Sequence, residues 1–179
     1  MAVVKKINDS IRVKILSAMT KKGAVVPNIR QIKKLTGFHR ATIKSSIDFL
    51  EKEKFILGYR PLLDSSIAGY NLKTASYFQM DLSLKERQKQ FLDTAIKDKS
   101  VISASQVISD GDFNVVLNFL SKNIESFHIN LKEKYVYKIP NYYDLVKKSS
   151  SFYLSNPIYK EKNQIDVLID LLLEEQALD

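Results

Sequence analysis

The sequence predicts an α+β chain in two parts: three short helices ending in a strand-like tail, then a β-α-β-β-α-β unit with one extra helix. Three observations predict it. Positive charge gathers in the first third of the chain. Apolar residues there recur at helical spacing between well-marked caps. From Lys73 onward, alternating stretches and helical stretches take turns.

The bulk of the sequence narrows the field. At 179 residues, 45% hydrophobic and 27% charged, the chain has the composition of one ordinary globular domain or two small ones. It contains no cysteine, which excludes disulfides and thiolate metal sites, and two histidines cannot build a His-rich cage. No apolar run approaches the ~18 residues of a membrane span. The opening MAVVKKINDS lacks the apolar core and cleavage site of a secretory leader, so the expected compartment is the cytoplasm. No cofactor is expected.

Net charge is +8, and its placement is more informative than its size. Residues 1–60 carry 14 Lys and Arg against four acids (Asp9, Asp48, Glu51, Glu53), a net of +10. Residues 61–179 carry 14 against 16, a net of −2. A basic module beside a near-neutral one is the footprint of a phosphate-backbone binder with a separate interaction domain.

Along the chain, Ile7–Lys21 places Ile11, Ile15, Leu16 and Met19 at helical spacing, with Asn8, Asp9 and Ser10 as caps and Gly23 as a stop. A second helix is expected over Ile29–Thr36, capped by Asn28 and ended by Gly37, with Ile29, Ile32 and Leu35 facing inward. A third, roughly His39–Lys54, has Ile43, Ile47 and Leu50 as its inner stripe. Lys54–Pro61 then reads as a short extended piece and turn. Two helices would hold the third against DNA while the strand-turn wing rests on the backbone, the plan of a winged helix-turn-helix.

Here the residues resemble a known family. Asp9…Lys14-Ile15-Leu16, the turn Leu35-Thr36-Gly37-Phe38-His39-Arg40-Ala41-Thr42-Ile43 and the run from Leu50-Glu51 to Gly58-Tyr59 are similar, in order and spacing, to the DNA-binding part of the Lrp/AsnC (feast/famine) regulators. Asp64 and Gly69-Tyr70 follow as in that family's linker. His39 and Ser46 depart from it, where the family commonly has serine and a basic residue.

In the second part, Thr74–Leu82, Val101–Ile108, Phe113–Leu120 and Tyr143–Leu154 read as strands. Ser83–Lys97 and Asn123–Val136 read as helices, and Ser109-Asp110-Gly111-Asp112 as a hairpin turn. This β-α-β-β-α-β order is ferredoxin-like. In the family it resembles, that unit assembles subunits and senses an effector, usually an amino acid. The family's glycine-plus-acid turn is matched by Gly111, Asp112 and Phe113, which makes them the implied effector-binding residues; in isolation they read as a plain hairpin.

The expected domains are a winged helix-turn-helix over 1–64, a linker at 65–72, a ferredoxin-like oligomerisation and effector domain at 73–155, and a helical extension over 156–179. Ile165, Val167, Leu168, Ile169, Leu171, Leu172, Leu173 and Leu178 make the extension apolar over most of its circumference. Burying each such side chain is worth roughly 1.5–3 kcal/mol, so it is expected to pack on its own domain or, by preference, on another subunit.

With the third helix starting at His39, Arg40, Ala41, Lys44, Ser45 and Asp48 lie away from its inner stripe. Arg40 suits a bidentate contact to guanine, and Lys44 a phosphate. Thr42 serves the helix start or a phosphate, while Arg30, Gln31, Lys33, Lys34 and Arg60 approach the backbone. The expected partners are double-stranded DNA, further copies in a homodimer or higher homo-oligomer, and an amino-acid effector, with no membrane. Two alternatives stay open: a sirohaem-decarboxylase-like enzyme on the same plan, and a DNA-binding protein without an effector. No Gly-rich phosphate loop, HExxH or GxSxG motif favours an enzyme.

Overall fold

A computed structural model of the chain describes residues 10–21, 23–108, 112–154 and 164–177. The chain divides into two compact units after Gly69. Among the described residues there are seven α-helices and a four-stranded antiparallel sheet, a mixed α+β fold. No helix among them is long and apolar enough to cross a membrane.

The first unit is helical: α1 (Ser10–Met19), α2 (Ile29–Thr36) and α3 (Arg40–Lys52). The expected caps Asn8 and Asp9 of α1 lie outside the described residues. Asn28 caps α2 by accepting a bond from the Gln31 amide at 3.1 Å. Gly37 ends it at φ 74°, a left-handed conformation in which glycine alone is unstrained. Ile43 is buried, and Ile47 and Leu50 are half-buried beside it, as expected for the inner face of α3.

Two inner faces differ from expectation. Ile11, Ile15 and Met19 are exposed, while Leu16, on another side of α1, is half-buried. On α2, Leu35 is 76% exposed. Steps of three residues drift backwards around a helix, so Leu35 has rotated about 120° from Ile29 and leaves the packed side. The expected wing strand is also corrected: residues 53–71 contain no strand. An extended run needs a partner for its amides and carbonyls, and the first unit offers no second strand among the described residues.

The second unit runs β1 (Leu72–Met80), α4 (Lys85–Lys97), β2 (Val101–Gln106), β3 (Val115–Ser121), α5 (Ile124–Leu131), α6 (Tyr142–Leu145), β4 (Val146–Leu154) and α7 (Gln164–Ala177). Strand order is β2-β3-β1-β4, every pair antiparallel. Ser76, Phe78 and Met80 of β1 and Leu117 and Phe119 of β3 turn to the core. Phe91 of α4 and Phe127 of α5 meet them, edge-on to Phe78 at 5.1 Å and to Phe119 at 5.3 Å. The alternate residues of the strands, among them Tyr77, Val116, Leu120 and Phe152, form the opposite face.

The helix expected over Asn123–Val136 changes character midway. After α5 the chain makes a π-helical turn, Lys132–Val136, which carries fully buried Tyr135. Its ring packs on Phe91 at 5.2 Å and its hydroxyl donates to Asp98. The last strand begins three residues later than expected, because Tyr142 and Leu145 are both buried and three-residue spacing joins one face only in a helical turn. The Ser109–Asp112 turn is described only at Asp112.

Candidate nucleic-acid interface

The turn at Gly37 leaves only three residues between the end of α2 and the start of α3, which brings the cations of the two helices together. His39 caps α3: the Ala41 amide donates to its Nδ1 at 3.5 Å, the long end of a hydrogen bond. Four residues then create a cleft. Ile29, Arg30 and Lys33 of α2 and Arg40 of α3 line a concavity of about 470 Å³. Three positive side chains and no acid line it, a charge arrangement that suits an anion. Among the described residues, none of Arg30, Lys33, Lys34, Arg40 or Lys44 is ion-paired with an acid.

The remaining expected contacts distribute around this cleft. Lys44, Thr42 and Ser45 are exposed on α3, and the Ser45 hydroxyl donates to the Thr42 carbonyl at 3.0 Å. Gln31 and Lys34 are exposed on α2. Arg60 is exposed in the irregular stretch after α3 and does not line the cleft. Asp48 forms no ion pair with Lys44 or Lys52 and instead lines a separate groove with Glu51, Val26, Pro27 and Leu57. Two exposed aromatics were not anticipated: Phe38 in the turn and Phe49 on α3. The Gly37-Phe38 step was visible as a turn, yet nothing local marks its ring as solvent-facing.

In the second unit, Gly111 lies outside the described residues. The Asp112 carboxylate accepts from Lys148 Nζ at 3.2 Å, and that ammonium also sits 5.4 Å from the Phe113 ring centre. Phe113 leans on Tyr77, which meets Phe152 edge-on at 5.7 Å. A distinct cavity of about 250 Å³ lies nearby, its walls including Met80, Leu92, Gln106, Val107 and Asn114. Asn114 sequence-locally looked unremarkable, but its side chain clamps β1, accepting from the Met80 amide at 3.0 Å and donating to the Met80 carbonyl at 2.7 Å. Asp112 and Phe113 do not line that cavity.

No family model matches the sequence. No curated protein matches it either. Solved structures do. An AsnC family transcriptional regulator from Agrobacterium tumefaciens superposes with a TM-score of 0.63 at 17% identity, covering 89% of this chain and 99% of its own. A transcriptional regulator from Neisseria meningitidis, solved as a complex with L-methionine, gives 0.62 at 14% identity over 85% and 92%. AsnC of E. coli gives 0.59 at 17% identity over 86% and 97%. The chain thus has the α+β fold of the Lrp/AsnC (feast/famine) transcriptional regulators.

Proposed function

We propose that this chain is a sequence-specific DNA-binding transcription regulator, its first unit a helix-turn-helix head and its second a ferredoxin-like assembly domain. The observation that carries the reading is the acid-free cleft of Arg30, Lys33 and Arg40, set in a segment with a net charge of +10 over residues 1–60. Phosphates bind such a cluster through charge and counterion release. Arg40 and Lys44, one helical turn apart near the start of α3, then face the base edges and the adjacent backbone.

The second unit supports assembly. Helices α4 and α5 cover one face of the sheet through Phe91 and Phe127, while Tyr77, Val116, Leu120 and Phe152 occupy the other. A homodimer or higher homo-oligomer formed there would present two basic heads to a pseudo-palindromic operator. An amino-acid effector is part of the proposal, with Gly111, Asp112 and Phe113 as its contact residues; the Neisseria structure of this fold was solved with L-methionine.

Two substitutions test the DNA reading. Arg40→Ala relaxes sequence preference at one operator position, costing about 1–3 kcal/mol on the preferred site and less elsewhere. Lys33→Ala weakens binding to all sequences about equally and reduces the salt slope by roughly one. If both variants bind a selected operator like the unaltered protein, α3 and the cleft are not the interface.

A further inference from the structure

Phe38 stands in the turn between α2 and α3 and is 61% exposed. Local bonds fix its place. Gly37, left-handed at φ 74°, turns the chain after α2. The Phe38 amide donates to the Thr36 hydroxyl at 3.3 Å, and that hydroxyl donates to the Ile32 carbonyl at 2.8 Å. His39, next in the chain, caps α3. A single exposed apolar side chain is ordinary on a protein surface. This one is anchored where α3 begins, two residues before Arg40, a wall of the acid-free cleft. Phe49 is equally exposed, but at ~1.5 Å per residue it lies about 13 Å beyond Arg40 along α3. That is past the first turn, through which a recognition helix meets base edges.

We propose that Phe38 reads the 5-methyl group of a thymine in the major groove, beside the base pair met by Arg40. The inference rests on the DNA-binding reading above and adds a second base to it. A phenyl ring offers no hydrogen bond, and the thymine methyl is the apolar group on that groove edge. Covering one methyl group is worth about three- to five-fold in affinity. Arg30 and Lys33 set the register through phosphates, a contribution that weakens with salt. The ring meets an uncharged group, so its share is independent of salt.

The test uses an operator selected from a random duplex pool, remade with each thymine replaced in turn by deoxyuridine, which lacks only that methyl. Fluorescence anisotropy measures binding by the full-length protein at low and at moderate salt. At one position in each half-site the uracil duplex should bind about three- to five-fold more weakly, by the same factor at both salts. Phe38→Ala should bind the two duplexes equally, whereas Phe49→Ala should keep the full preference. The base replacement needs no variant, so its result stands even where Phe38→Ala fails to fold. Thymine and uracil bound alike at every position would overturn the proposal while leaving DNA binding intact, as would a preference that survives in Phe38→Ala. Affinity lost by Phe38→Ala equally on both duplexes would make the ring a wedge between base steps. A changed solution mass with the preference intact would make it a protein contact. Both overturn the proposal. A pool that yields no operator would remove the DNA reading itself, and this inference with it.

Discussion

Asp98, just beyond the end of α4, has a fully buried carboxylate ringed by donors. The Lys134 ammonium pairs with it, the Ser100 amide and hydroxyl donate at 3.0 and 2.9 Å, and the Asn130 side chain donates at 3.1 Å. Burial pushes its pKa up, but the lysine and these donors outweigh burial and hold it below the ordinary aspartate value. Burial, together with this same carboxylate, drives the Tyr135 hydroxyl far above its usual range, so that hydroxyl remains a donor. Asp98→Asn removes the charge and leaves Lys134 without its counterion, at an expected cost of about 1–3 kcal/mol in urea unfolding at neutral pH. The sign with pH follows from the lowered folded-state pKa. The stabilisation is fully present above the unfolded value of about 4 and disappears as pH falls through the folded one. Unfolding curves of the two proteins should therefore converge in acid; a gap that widens below pH 4 would contradict this role.

At the scale of elements, α2 is set by its ends. Asn28→Ala removes the side-chain acceptor for the Gln31 amide and should cost about 1 kcal/mol. Gly37→Ala meets no neighbour within 4 Å, so its expected cost of about 1–2 kcal/mol comes from the left-handed backbone alone. Thermal unfolding of both variants checks the pair, and Gly37→Asn should be milder than Gly37→Ala because asparagine tolerates that conformation better. These boundaries were legible in the sequence because caps act through bonds three or four residues long. The order β-α-β-β-α-β was legible for a similar reason, since strand and helix periods are local. The faces were less so. Ile15, Met19 and Leu35 carry the right spacing for an inner stripe, but what covers a face depends on neighbours that the spacing does not specify. The π turn at Tyr135 escaped because it answers to Asp98 and Phe91, both distant in sequence. Of the basic site, the residue types and their helices were legible, whereas the convergence of Arg30, Lys33 and Arg40 on one cleft needed the αL turn in three dimensions.

For the whole molecule, the proposed function assigns nucleic acid to the basic unit and assembly to the near-neutral one. A binder using the three cleft cations and Lys44 on each head would neutralise about four phosphates per head, so the logarithm of affinity should fall with the logarithm of salt at a slope near −3.6 per head. An amino-acid effector of the proposed kind should change solution mass or operator affinity when added, and Asp112→Ala should blunt that response. The central claim concerns sequence-specific DNA binding, and in-vitro selection from a random duplex pool at moderate salt tests it most directly. The account predicts enrichment of a pseudo-palindromic motif that the Arg40→Ala protein selects less sharply. A pool no richer than background after repeated rounds would contradict it.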